Sequence, residues 1–266
     1  MKKNSFILNK YTLPLLILLL YLGVDIILHK GMTRVLIPKS FNSNLHPQYI
    51  QPLDVPLTIS DKKWQKAVNT VQKMQQLANN APGLEMDVYF DTTKNLLQVY
   101  HDSSETVRPL IEDILAVYKA RKLSASIWLD FKNLSLCNEK KSLDYIVFLR
   151  RQYGLQNKII VESGSPQYLK MFCDSGFFTS YYTPFFNPYL ISATTLMQAI
   201  DTIAYNLKKY PASALSGYYF QYPALKKFFP NYPVLIWAEN DNYSFVSGIF
   251  NYKLGKDPRV KIVLYP

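Results

Sequence analysis

The chain has 266 residues, 48% of them hydrophobic and 18% charged, with a mean hydropathy of -0.07, a balance that excludes extended disorder and a polytopic membrane protein. That length suits one large core, and the net charge of +11 divides into +5 over residues 1–39 and +6 over the remainder. Only 9 residues are Gly, no Gly-rich phosphate-binding motif occurs, and the 2 Cys and 3 His show no zinc spacing.

The first predicted element is an apolar run, Tyr11 to Leu28, interrupted only by Asp25 and preceded by Lys2, Lys3 and Lys10. About 18 apolar residues can just span a bilayer as a helix. The following His29-Lys30-Gly31-Met32 lacks the small residues of a cleavage site, so residues 1–28 read as an uncleaved single-pass membrane anchor rather than a buried core helix. Lysines before the run favour an inside amino terminus and an extracytoplasmic domain, although Lys30, Arg34 and Lys39 flank the other side. Residues 29–60 carry Pro38, Pro47, Pro52 and Pro56 among polar residues, the composition of a linker that lifts the domain off the membrane.

From residue 61 onward, short β-rich runs alternate with amphipathic stretches. Strands are expected at Trp64–Val68, Leu84–Phe90, Ser126–Phe131, Lys158–Glu162, Phe178–Tyr182, Leu215–Phe220, Val234–Ala238 and Val260–Leu264, with an extra arm at Leu96–Tyr100. Helical spacing appears between them, for example at Leu196, Ala199, Ile200, Ile203 and Leu207. Eight strands alternating with helices imply an α/β fold, a (β/α)8 TIM barrel over residues 61–266. The rival is a doubly wound open sheet, which more often binds its ligand at a Gly-rich first turn, and this chain has none. Scattered Lys doublets read as solvated surface or as attraction to an anionic membrane or phosphate; no basic arm or motif points to nucleic acid. Cys137 and Cys173 are either a disulfide or two free thiols.

Residues two apart in a strand share a face. Glu85 and Asp87 therefore project together, opposite Leu84, Met86 and Val88, and Trp128, Asp130 and Lys132 share a side in the next strand. Glu162, Gln221 and Glu239 follow at the ends of later strands, where such barrels assemble their sites, and are candidates for binding substrate. Clustered carboxylates repel unless a cation holds them, and hard oxygen donors favour Mg²⁺ or Ca²⁺. His101 stands shortly after the acid pair, where it can move a proton, and Lys132 can neutralise a phosphate. A structural ion-pair layer with Lys66 and Lys132 is the simpler alternative for the same acids.

The stretch from Leu84 to Asp102, with Glu85-Met-Asp87-Val88 and Val99-Tyr-His101-Asp102, resembles the E-x-D-V and V-x-H-D core of glycerophosphodiester phosphodiesterases and their phospholipase-C-like relatives. Trp64-Gln-Lys-Ala-Val-Asn-Thr70, Ile127-Trp-Leu-Asp-Phe-Lys-Asn133 and Val161-Glu-Ser163 are similar to the menorin-type branch. The resemblance implies one divalent ion held by Glu85, Asp87 and Asp130, with His101 as an acid/base residue and Lys132 as the third-strand lysine. It also implies a phosphodiester or phosphate-bearing small molecule, or a lipid head group, as ligand. Its first-strand histidine is replaced here by Lys66, which supplies donors but is a poor base near pH 7 unless burial lowers its pKa. Two functions follow: a membrane-anchored phosphodiesterase, or an impaired pseudo-enzyme that binds a phosphate-containing or glycan ligand at the cell envelope. A third role, purely structural partner binding, would draw on the surplus of 21 Tyr and 15 Phe.

Overall fold

The computed structural model describes residues 12–37, 41, 45–102 and 104–266; the expected positions Lys2, Lys3, Lys10, Tyr11, Pro38 and Lys39 lie outside them. Eight parallel strands form the sheet: β1 (Lys63–Gln65), β2 (Gly83–Asp91), β4 (Ser126–Phe131), β5 (Ile159–Ser163), β6 (Phe178–Tyr182), β7 (Ala214–Tyr218), β8 (Val234–Trp237) and β9 (Val260–Tyr265). Pairing of β1 with both β9 and β2 closes them into a barrel, and β3 (Leu96–Val99) is an antiparallel arm on β2. The closed sheet excludes the doubly wound alternative.

Why β3 can attach there follows from the brevity of β1. Gln65 pairs with Leu84, but Ala67 then turns into the left-handed region at φ 54°, so the strand ends before the expected Val68. Above Leu84 the edge of β2 is free, and Val88 through Asp91 pair with β3 instead. At the start of β2, Gly83 lies so close to the Trp64 indole that any Cβ there would collide with the ring.

Helices fill the connections: α3 (Val71–Gln76), α4 (Ile111–Ala120), α5 (Glu139–Gln152), α6 (Lys170–Asp174), α7 (Ala193–Lys209), α8 (Tyr222–Phe228) and α9 (Phe245–Lys256). Thr70, Ser192 and Ser244 start α3, α7 and α9 by accepting a hydrogen bond from the backbone N–H three residues on. Apolar side chains divide into an inner cluster, with Trp64, Trp128, Ile160, Phe178, Leu235 and Ile262, and two outer clusters between sheet and helices. Two kinds of strand face result, both buried, which is why the strands read as nearly continuous apolar runs.

The amino-terminal segment departs from expectation. Helix α1 (Thr12–Leu28) is followed by α2 (Lys30–Leu36), bent from it by 91°. No single helix among the described residues is long and apolar enough to cross a membrane, which corrects the single spanning helix; only the bent pair passes that test. The cause is visible at Asp25. Its carboxylate accepts from the Val246 N–H at 2.9 Å and meets His29 Nδ1 at 2.9 Å, so the last turn of α1 is held on the start of α9.

Residues 45–60 are not a free spacer. Gln48, Leu53 and Thr58 donate backbone N–H groups to the carbonyls of Phe228, Ala212 and Asn157, which precede barrel strands. Val55, Leu57 and Ile59 pack against the inner cluster and stop the barrel at its amino-terminal end. Composition had suggested a linker because Pro and Asn exclude regular structure; they do not exclude packing. Cys137 is exposed and Cys173 half-buried, and both are free thiols.

Candidate active site

Strand register places Asp87 level with Asp130, and Asp130 level with Glu162. All three, with Glu85, are buried, at exposures of 6% or less. Glu85, Asp87 and Asp130 each offer an oxygen within 4.8 Å of the others. The turn after β1 holds two of these acids. Glu85 Oε2 accepts from the Ala67 N–H at 2.7 Å, while Asp87 Oδ2 accepts from Asn69 Nδ2 at 2.6 Å and the Asp87 N–H donates to Asn69 Oδ1 at 3.0 Å. The left-handed Ala67 thus aims a backbone donor and the Asn69 side chain at the cluster.

Lys132, just beyond β4, lies 2.7 Å from Asp87 Oδ1 and also pairs with Asp130. One ammonium does not neutralise three carboxyls. Burial, followed by the charges of Asp87 and Asp130, pushes Glu85 up to about 8. Burial raises Asp130 as well, against the pull of Lys132. For Lys132, burial favours the neutral form, but Asp130 and Asp87 overcome it and hold the ammonium charged. A closely spaced set of hard oxygens, one protonated near neutrality for want of positive charge, fits a divalent cation.

The other expected residues divide. His101 follows β3, where the Tyr100 N–H donates to the Asp87 carbonyl, and it is near enough for its charge to act on Asp130. It is exposed at the mouth, and its own N–H donates to Glu105 Oε1. Lys66 shares the parity of the inward-facing Trp64, is half-buried, and forms no ion pair among the described residues. Glu162 lies one strand beyond Asp130, and among the described residues neither of its carboxyl oxygens has a hydrogen-bond partner. Burial first, then Asp130, raises it far above the carboxylate range, with a partial offset from the nearby Ser216 hydroxyl.

Gln221 and Glu239 are not gathered into the cluster. The Gln221 amide accepts from the Tyr218 N–H at 3.0 Å and donates to the Pro184 carbonyl at 2.9 Å, tying the loop after β6 to the loop after β7. That spends its donor and acceptor on structure. Glu239 is exposed, and its charge acts on Tyr219, which packs against Phe250 outside the barrel.

Asn69 was not singled out from the sequence, although it lies in the Trp64–Thr70 stretch beside Lys66; only the fold shows it bracing Asp87. The aromatic wall was anticipated only in part, through the surplus of Tyr and Phe and the shared side of Trp128 and Asp130. Tyr182 and Tyr218 flank Trp237 at 4.8 and 5.7 Å between ring centroids, and Trp237 lies 5.6 Å from Trp128. Their inward parity was readable, but not that three strands converge on one ring. A cleft of about 930 Å³ opens beside the starts of β1 and β2, lined by Trp64, Lys73 and Gly83, and contains none of the clustered acids.

No family model matches the chain, and no curated protein matches it. Solved structures share its fold. A glycerophosphodiester phosphodiesterase from Parabacteroides distasonis aligns over 77% of this chain and 93% of its own, at 15% identity and a TM-score of 0.51. A Galdieria sulphuraria protein assigned the same activity covers 78% and 94% at 14% identity and a TM-score of 0.52. One from Silicibacter pomeroyi, assigned as a glycerophosphoryl diester phosphodiesterase, covers 79% and 91% at 11% identity and a TM-score of 0.54. With Glu85, Asp87 and Asp130 gathered from β2 and β4, the chain is a (β/α)8 barrel of the fold found in glycerophosphodiester phosphodiesterases.

Proposed function

We propose that the chain is a divalent-metal-dependent phosphodiesterase-type barrel, attached to a membrane through its amino-terminal helix, with the barrel extracytoplasmic. The observation that carries the chemistry is the convergence of Glu85, Asp87 and Asp130 beside Lys132 at the mouth. Mg²⁺ or Ca²⁺ held by the three carboxylates would polarise a phosphoryl oxygen there. Lys132, fixed by Asp87 and Asp130, supplies positive charge for the phosphoryl group, and the half-buried Lys66, one residue past β1, adds a second. His101 transfers the proton at the ester oxygen. Asn69 keeps Asp87 oriented.

A second reading, a pseudo-enzyme that retains the pocket for a phosphate-bearing or glycan ligand, draws on Lys66 in the place of the first-strand histidine. The reconstituted full chain, assayed with Mg²⁺ or Ca²⁺ against glycerophosphodiesters, is expected to lose about 10²- to 10⁴-fold in rate on His101→Ala. Equal rates in the two proteins would remove His101 from the chemistry. No turnover in either, with metal binding intact, would favour the pseudo-enzyme.

A further inference from the structure

Helix α1 is apolar on every side, and every residue from Leu13 to Leu20 is exposed, Leu20 by 70%. A face wetted by apolar side chains all round suits hydrocarbon rather than a groove on another protein, which would cover one stripe. At 17 residues the helix is about 25 Å long, short of the ~30 Å of a bilayer core, so by itself it enters a bilayer without crossing it. Its root is the informative part. The Tyr21 hydroxyl donates to the Tyr243 carbonyl, Asp25 holds the start of α9, and His29 Nε2 lies 3.3 Å from Asp241. Residues 241–246 follow β8, so α1 is fixed to the rim at the same end of the barrel as the clustered acids.

No slack separates the apolar helix from that rim. Leu20 adjoins the bonded Tyr21, and residues 45–60, expected as a spacer, seal the opposite end. The rim also carries exposed aromatic side chains. Phe185 is 66% exposed, Tyr243 89% and Phe245 59%. Phe185 packs edge-on to both Tyr218 and Phe220, at 5.5 and 5.6 Å, and Tyr218 continues to Trp237, making an aromatic ramp from solvent into the mouth.

We propose that the mouth is held against a lipid bilayer, and that the phosphodiester is membrane-borne: a phospholipid whose head group enters the barrel while its chains stay along the aromatic ramp. This rests on the phosphodiesterase reading for its chemistry, whereas the orientation stands on geometry alone.

The test uses the full chain in vesicles of phosphatidylcholine with brominated acyl chains, on a Cys137→Ser, Cys173→Ser background. Single fluorophores are placed through Phe185→Cys and Tyr243→Cys at the rim and Gln156→Cys at the opposite end. Bromine is expected to quench both rim labels at least twofold and leave the label at 156 unchanged. Quenching at 156, no quenching at the rim, or no association with vesicles would overturn the orientation. In parallel, turnover of a diacyl phosphodiester in the bilayer is compared with its deacylated counterpart in solution, with Phe185→Ala expected to lower the ratio at least tenfold. An unchanged ratio overturns the substrate class. Absence of turnover on both substrates, with rim quenching present, overturns the phosphodiesterase reading and leaves the orientation supported.

Discussion

Glu85 binds a proton at neutral pH that an unfolded chain would have released. Its folded pKa, about 8, lies above the usual 4.5, so between those values the native state holds more protons and stability falls as pH rises. Urea unfolding of metal-free protein is expected to weaken steadily from pH 5 to 8, and Glu85→Gln to flatten that slope; a slope unchanged by the substitution would contradict the assignment. A divalent ion must displace the same proton, so apparent affinity rises with pH up to about 8. Asn69→Ala removes both hydrogen bonds to Asp87. It is expected to weaken metal binding about 10- to 100-fold and to cost about 1–3 kcal/mol of stability in urea. Glu85, Asp87, Asp130 and Lys132 were legible as a group because strand parity determines which side chains share a face. Asn69 was not, since its role depends on where a loop crosses a neighbouring strand. Nor could parity say that Gln221 spends its amide on two loops.

At the level of elements, the short β1 does two things: it releases the edge of β2 for β3, and it lets residues 67–69 fold over the acids. All eight barrel strands were legible from alternation and apolar content, while the ends of the first and sixth overran. Ala67 ends one at a left-handed turn, and Gln221 bonds to Tyr218 at the end of the other. Gly83→Ala, which drives a methyl group into the Trp64 indole, is expected to cost at least about 1–3 kcal/mol in urea unfolding. A neutral result would mean that the base of the barrel is looser than its packing shows. Length and hydropathy made α1 readable as a helix, but Val246, whose N–H donates to Asp25, lies 221 residues away in sequence and left no local signal.

Over the whole molecule, the amino-terminal segment is fixed at both ends of the barrel, on α9 at the mouth and across the strand starts at the base. A fragment of residues 61–266 is therefore expected to be markedly less stable than one of residues 45–266, because it uncovers the surface beneath Val55, Leu57 and Ile59. Equal melting temperatures would show that this segment is not part of the folded unit. The barrel was legible from the count and spacing of strands, a property of the whole chain, whereas the path of residues 45–60 depends on contacts that composition does not encode. Calorimetric titration of the intact chain with Mg²⁺ and Ca²⁺ at pH 7 tests the central claim most directly. One ion bound per chain, with proton release, and binding lost in Asp87→Asn is the expected result. No binding, or binding that Asp87→Asn and Glu85→Gln leave undiminished, would contradict it.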